Sequence, residues 1–358
     1  MAANRLIKVL IVDDSAVVRK VLSELIDSAD DLLKLKPAPD PIFALERMKE
    51  EWPDVIILDM EMPRMDGLTF LTKVMEERPT PIVVCSSLTE KNAQITMDAL
   101  AAGAVAIVTK PKVGLSGFLQ ESADEILREV RAAARARLNR QTTTASAIRQ
   151  QAPLAASYRT TDKLVAIGTS TGGTKALEEV LKALPKTSPG IVCVQHMPAG
   201  FTRAFAERLN SICNVEVLEA SQSTRIIPGR VLIAPGETHM EIEQRGAYFY
   251  SILSDGPPVC FSKPSVDVLF QSVARNVGQN ALGIILTGMG KDGAEGLLAM
   301  RRRGARTIAQ DEASSVVYGM PKVAFEKGAA ERVLPLFEVP EAIMNFYTQQ
   351  ADRAPANG

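Results

Sequence analysis

The chain has 358 residues, 46% of them hydrophobic and 23% charged, with a formal net charge of -1. That length exceeds one ordinary hydrophobic core, so two globular domains are expected, and the balanced charge exerts no general pull on nucleic acid or an anionic membrane. No stretch has the apolar length of a bilayer span, the opening "MAANRLIKVLIVDDS" is too short in its apolar run for a secretory segment, and Cys85, Cys193, Cys213 and Cys260 form no close C-x-x-C pair, which together indicate a cytoplasmic protein with reduced thiols.

From Ile7 to about Leu127, short apolar runs alternate with helical patterns. "IKVLIV", "DVIILD", "PIVVCSS" and "AVAIVTK" are continuous and rich in Val and Ile, as buried parallel strands are. "AVVRKVLSELIDSA", "IFALERMKEE", "GLTFLTKVMEE" and "NAQITMDALAAG" carry apolar residues at helical spacing. "LLKLKPAPDP" is broken by three prolines and gives a strand of uncertain bounds. The alternation predicts a doubly wound sheet with its ligands outside the carboxyl ends of the strands.

Chemistry-bearing residues collect at those ends. Asp13 and Asp14 follow the first strand, Asp59 ends "DVIILD", and Lys110 ends "AVAIVTK" before Pro111. Clustered carboxylates repel one another unless a hard cation joins them, and Mg²⁺ favours such oxygens. A carboxylate can attack phosphorus, a lysine can neutralise the incoming phosphoryl group, and the Ser86 hydroxyl can bond its oxygens. Taken singly, the paired aspartates are also plausible helix caps near Ser15, and "MDG" a plain turn. "VLIVDDS", "LDMEMPRMDG", "CSS" and "TKP" together resemble a response-regulator receiver domain, across roughly residues 5 to 125. The resemblance implies a (βα)5 fold, Asp59 as phosphoacceptor, Asp13 and Asp14 with Asp59 as Mg²⁺ ligands, Ser86 as switch hydroxyl and Lys110 as phosphate-binding lysine. Ile107 stands where many receivers have an aromatic switch residue.

The next segment begins "LREVRAAARARLNRQTTTASAIRQQ". Its first part can prolong a helix, and its later part has a linker's composition. Arg128, Arg131 and Arg135 share a helical face that would suit an acidic partner or, to Arg140, DNA; a solvated face is the plainer reading. No helix-turn-helix pattern accompanies them.

A second α/β pattern starts at Lys163. "KLVAIGTS", "GIVCVQH", "VEVLEA", "RVLIAP", "ALGIILTG" and "RTIAQD" are strand candidates. Helical patterns "TKALEEVLKAL", "FTRAFAERLN", "SVDVLFQSVARNV" and "DGAEGLLAMRRRG" lie between several of them. "HMEIEQRGAYFYSILSD" alternates around Arg245-Gly246 and predicts a β-hairpin inserted in an otherwise parallel sheet.

"GTSTGG" lacks the register of a phosphate-binding loop, but Gly168 to Gly172 fits G-x-S-x-G, the strand-turn-helix elbow that exposes a serine. Ser170 then needs a base, and the chain has only two histidines. His196 ends an apolar strand; His239 opens the predicted hairpin and is better placed for a rim or structural role. A carboxylate must orient the imidazole, and Asp292 lies in the glycine-rich turn after "ALGIILTG", where a helix cap is its plainer role. Met289, in the Gly288/Gly290 turn, and the helix start after Ser170 are candidate oxyanion donors. The order Ser…His…Asp is not that of the α/β-hydrolases.

"IGTSTGG", "QHMPAGFTRAFAERLN", "IAPGETHM", "DGPPV", "KPSVDVLF", "ILTGMGKDGAEG" and "IAQDEASSVVYGMP" resemble the catalytic domain of the chemotaxis protein-glutamate methylesterase (CheB) family. Thr169 replaces the family's usual alanine. The resemblance implies a three-layer α/β domain, a Ser170–His196–Asp292 triad with no cofactor for ester hydrolysis, and demethylation of methyl-accepting chemotaxis receptors with release of methanol. It further implies deamidation of receptor glutamines and a receiver that blocks the site until a chemotaxis histidine kinase phosphorylates Asp59. The expected organisation is a receiver over residues 1–127, a linker over 128–160, a catalytic domain over 161–350 and a tail over 351–358. Nucleic acid and direct membrane insertion are not expected; a catalytically idle receptor adaptor is the rival reading.

Overall fold

The computed structural model describes residues 5–111, 118–138 and 163–348. The later part of the expected linker and the expected tail lie outside the described residues.

In the first body, β1 (Ile7–Val12), α1 (Ala16–Asp27), β2 (Leu32–Lys34), α2 (Pro41–Glu50), β3 (Val55–Leu58), α3 (Gly67–Glu77), β4 (Ile82–Ser86), α4 (Glu90–Ala101), β5 (Ala106–Thr109) and α5 (Phe118–Ala133) follow in chain order. The strands form one parallel sheet in the order β2-β1-β3-β4-β5. Their apolar runs are continuous because helices cover both faces: every residue of β3 and β4 is buried. The proline-broken segment yields only the three residues of β2, ending before Pro37. The chain changes direction at β1 and opens a crevice beyond the carboxyl ends of β1 and β3. Ser15, not Asp13 or Asp14, caps α1, its Oγ accepting from the Val18 amide. Asp66 of "MDG" caps α3 through the Thr69 amide, so that motif opens a helix where a plain turn was the simpler expectation. In the arginine run, Arg131 forks onto Asp31 with bonds of 2.8 and 2.7 Å, and Arg128 pairs with Glu129 at 3.5 Å. Those two side chains are therefore engaged within their own body.

The second body begins with β6 (Leu164–Thr169), α6 (Gly173–Lys182), β7 (Gly190–Gln195), α7 (Phe201–Ile212), β8 (Glu216–Glu219), β9 (Arg230–Ile233), β10 (His239–Arg245) and β11 (Tyr248–Ser254). It continues with α8 (Val266–Asn276), β12 (Ala281–Ile285), α9 (Ala294–Arg302), β13 (Arg306–Gln310), α10 (Met320–Glu326), β14 (Arg332–Leu334) and α11 (Val339–Thr348). Seven strands form a wholly parallel sheet in the order β14-β13-β12-β6-β7-β9-β8. The hairpin forms as expected but stands apart as a two-stranded sheet. Met240 and Ile242 of β10 share a core with Phe270 and Val273 of α8, and the Ile242 amide donates to Ser272 Oγ at 2.9 Å. Its apolar face is thus satisfied by α8, without a ladder to the main sheet. β14, only three residues long, is too short to show a sequence period. Among the described residues no helix is long and apolar enough to cross a membrane.

From β6 the chain winds outward through β7, then returns to the opposite side with β12. The carboxyl ends of β6, β7 and β12 therefore border the switch point, where ligands of such sheets bind. The start of α8 presses on β6 there: a Cβ added at Gly168 would lie 2.1 Å from Val266 Cγ1. Overpacking at such a contact costs about 1–3 kcal/mol. Gly168→Ala is expected to lower unfolding free energy by that amount in denaturant titration, and an unchanged midpoint would contradict the close approach.

Candidate active site

Asp292 follows β12 and is 2% exposed. It does not cap the helix that follows it: Gly293, at φ +88°, is the N-cap of α9 and makes no side-chain cap bond. Its carboxylate instead sits on the N-terminus of α8. Oδ1 accepts from Ser265 Oγ at 2.8 Å and the Asp267 amide at 3.0 Å, and Oδ2 from the Val266 amide at 2.8 Å. The first amides of a helix lack intrahelical acceptors, and the helix dipole favours negative charge there. Burial pushes the carboxyl upward; the bond and charge of His196 and the amides of Asp267 and Val266 outweigh it and hold Asp292 below its ordinary range.

The fourth bond joins Asp292 Oδ2 to His196 Nε2 at 2.8 Å. An ionised carboxylate only accepts, so Nε2 carries the proton and Nδ1 is left as the basic nitrogen. Ser262 Oγ lies 3.5 Å from Nδ1, long for a hydrogen bond.

Ser170 follows β6 on a tight turn, its carbonyl accepting from the Gly173 amide at 2.7 Å, with Gly172 left-handed at φ +77°. The turn is tied to β12: the Ser170 amide donates to Thr287 O at 3.0 Å and Thr169 Oγ1 to the same oxygen at 2.9 Å. The hydroxyl of Thr169 thus adds a bond that an alanine lacks. The Ser170 amide, being engaged, cannot serve an oxyanion. Gly288 packs on the serine, since a Cβ there would lie 2.7 Å from Ser170 Cβ. The adjacent Met289 amide donates to no backbone carbonyl among the described residues. Ser170 and His196 end neighbouring strands, and the His196 amide donates to Thr169 O at 3.1 Å. Among the described residues no hydrogen bond joins Ser170 Oγ to the His196 ring.

His239 is buried, not at a rim. Its Nδ1 accepts from the Ser265 amide at 3.1 Å and its Nε2 donates to Pro257 O at 2.9 Å, so it fixes the chain just ahead of α8. Asp267, also buried, accepts from the Gly296 amide at 2.7 Å. Oxygens of Asp267 and Asp292 and the Cys260 sulfur lie within 4.8 Å of one another, but four donors already fill the Asp292 carboxylate. Sequence reasoning passed over the seat that Ser265, Val266 and Asp267 provide. Its one signal was "PSVD", a serine cap ahead of an apolar helix.

In the first body, carboxylate oxygens of Asp13, Asp14 and Asp59 lie within 4.8 Å of one another. Lys110 Nζ is 2.7 Å from Asp59 Oδ2 and 3.3 Å from Asp13 Oδ2, and neither oxygen accepts a hydrogen bond of good geometry. Burial raises both carboxyls against the opposing pull of Lys110. Three carboxylates facing one ammonium suit a hard divalent cation. Ser86, buried at the end of β4, directs its hydroxyl at Ser87 O over 3.4 Å. Ile107 is buried within β5.

Residues 165–343 match the family model for the CheB methylesterase, and residues 9–114 that for the response regulator receiver domain. The chain is 56% identical over 344 residues to the protein-glutamate methylesterase/protein-glutamine glutaminase 2 of Xanthomonas campestris pv. campestris, covering 91% of this chain and 97% of the relative. It is 54% identical over 358 residues to the corresponding protein 3 of Shewanella oneidensis, covering 96% and 100%. Among solved structures, the Thermotoga maritima CheB methylesterase catalytic domain is 38% identical with a TM-score of 0.50, covering 51% of this chain and 97% of that one.

Asp267 yields a pH prediction. Burial first, then the charges of Asp292 and Glu295, push its carboxyl from 3.8 to about 6 against the Gly296 amide. The folded state therefore binds the proton more tightly than the unfolded chain, and stability falls as pH rises from 3.8 through about 6. The full cost above that window is about 3 kcal/mol. Asp267→Asn is expected to flatten this slope and to be the more stable protein at neutral pH. Parallel stability curves for the two proteins across the window would contradict it.

Proposed function

The chain belongs to the CheB methylesterase family, and we propose that it is a phosphorylation-regulated hydrolase that demethylates glutamyl methyl esters on methyl-accepting chemotaxis receptors. Ser170 Oγ attacks the ester carbonyl while its proton passes to His196 Nδ1. Asp292 holds the other face of the ring and stabilises the imidazolium. The negative tetrahedral oxygen is met by the Met289 amide. The proton on Nδ1 then leaves with methoxide as methanol, and His196 draws a proton from water as it cleaves the acyl-enzyme. The product is a glutamate carboxylate and a restored serine. A receptor glutamine follows the same route with ammonia as leaving group. The Ser170–Nδ1 hydrogen bond forms as substrate docks, since catalytic bonds often tighten only in the complex.

Asp59 accepts the phosphoryl group from a chemotaxis histidine kinase, with Lys110 and Ser86 bonding its oxygens. Asp13, Asp14 and Asp59 would hold Mg²⁺, whose charge offsets the converging oxygens. The acyl phosphate carries about -1.5 to -2 where the carboxylate carried a single negative charge, and with its three acceptor oxygens it biases the receiver toward the state that permits hydrolysis. The receiver is taken as residues 1–127, the linker as 128–160, the catalytic domain as 161–350 and the tail as 351–358. The protein acts in the cytoplasm, on the cytoplasmic parts of receptors, and has no nucleic-acid partner.

The observation that carries this reading is the His196–Asp292 pair seated on α8 beside the Ser170 elbow. Methanol release from methylated receptor membranes tests it, with and without a small phosphodonor. Ser170→Ala is expected to lose about 10³-fold or more of the rate, and Asp59→Asn to keep a basal rate that no longer responds to the phosphodonor. Unchanged release from Ser170→Ala would overturn the esterase reading. A phosphodonor response in Asp59→Asn would overturn the regulatory one.

A further inference from the structure

We infer that Gln195 is a positioning residue for this reaction, its single amide fixing the nucleophile's turn and the base's strand end to each other. The inference rests on the reading of Ser170 and His196 as nucleophile and base. β6 and β7 run in register as far as Thr169 opposite Gln195, and one more ladder bond follows, from the His196 amide to Thr169 O. Past that point the chains part, Ser170 into its elbow and His196 into the loop before α7. Parallel strands that part leave backbone carbonyls without ladder donors. Gln195 Nε2 donates to two carbonyls at that point, His196 O and Ser170 O, at 2.9 Å each, the second also accepting from the Gly173 amide within the elbow. Both partners are carbonyl oxygens, so the amide must present its NH2 end and its orientation is determined.

The choice of residue is informative. β7 is apolar from Ile191 to Val194, and Gln195 is only 3% exposed. Its Oε1 is buried without a hydrogen-bond partner, an unfavourable arrangement that an apolar side chain of the same size avoids. With its Oε1 unpartnered and its Nε2 bonded twice, the NH2 group is the useful end of this glutamine. The elbow also presses on this side chain: a Cβ added at Gly173 would lie 2.3 Å from Oε1.

The two groups it joins are otherwise anchored toward β12 and α8. Ser170 hangs from Thr287 O by its amide, and the His196 ring from Asp292. Across the gap between β6 and β7, Gln195 adds a side-chain link to the backbone bond from the His196 amide to Thr169 O. Displacement of a nucleophile from its base by about 1 Å can cost about 100-fold in rate. The same device recurs at the end of β13, where Gln310 Oε1 accepts from the Thr287 amide and its Nε2 donates to Ser314 O, each at 2.8 Å. Side-chain amides thus continue the ladder on both sides of the crevice, and that of Gln195 ends on the reacting residues.

The test uses the full chain and two readouts, steady-state methanol release and the rate at which a fluorophosphonate labels Ser170, with thermal unfolding recorded for each variant. Gln195→Met keeps the size and removes both donors. Its kcat and labelling rate are expected to fall about 10- to 100-fold, with KM within about twofold and a cooperative unfolding transition retained. Gln195→Glu turns an oxygen toward the two carbonyls and is expected to fall at least as far. Should Gln195→Met not fold, Gln195→Asn carries the comparison, because its shorter amide cannot span both carbonyls. A folded variant with the wild-type kcat and labelling rate overturns the inference, as does a loss of rate that merely tracks the unfolded fraction. Ser170→Ala in the same assay separates the two claims. If it still releases methanol, the esterase reading fails; if it is inactive while the Gln195 variants match wild type, only the positioning role fails.

Discussion

A buried carboxylate on the N-terminus of a helix is the constraint around which the second body is organised. Asp292 is kept ionised in an almost dry site because α8 offers it two amides and a serine hydroxyl, and because His196 offers a proton. Without that seat, burial would favour its neutral form and the imidazole would lose its orienting charge. Much of the surrounding structure serves the placement of α8. Gly168 lets Val266 lie against β6, His239 takes the Ser265 amide, and Ser272 ties the helix to the hairpin.

The seat also selects which imidazole nitrogen can act. With Nε2 directed at Asp292, Nδ1 is the only ring nitrogen left to take a proton. Oriented backbone then fixes the rest: the serine turn is tied to Thr287, and Gly288, the residue before Met289 on the glycine turn after β12, packs against Ser170. The receiver body uses the same edge of a parallel sheet differently. There three carboxylates and one lysine converge with few hydrogen bonds among them, an arrangement for taking up charge from outside, not for holding one internal charge still.

The strand-end residues were legible in the sequence because each follows an apolar run, and a parallel sheet gathers such ends on one edge. What each one bonds to was not. Asp292 looked like the cap of its own helix, but it caps α8, some 25 residues earlier in the chain, as its bonds to Val266 and Asp267 require. Ser15 took the capping role that had been open to Asp13 and Asp14, and Arg131 proved bound to Asp31 in its own body. The hairpin was readable from its alternation, but its separation from the main sheet depends on packing against α8, which no local pattern encodes. Gln195 drew no notice because its bonds run from side chain to backbone and leave no motif.

The most direct measurement of the central claim is a nitrogen-15 spectrum of the two histidine rings in histidine-labelled protein, compared with Asp292→Asn. Two rings are the whole inventory of the chain, so the signals assign cleanly with one His239 variant. The account predicts that neutral His196 carries its proton on Nε2, in a strong hydrogen bond that weakens in Asp292→Asn, with Nδ1 unprotonated. A proton on Nδ1 of neutral His196, or an Nε2 signal indifferent to the loss of the Asp292 charge, would contradict it.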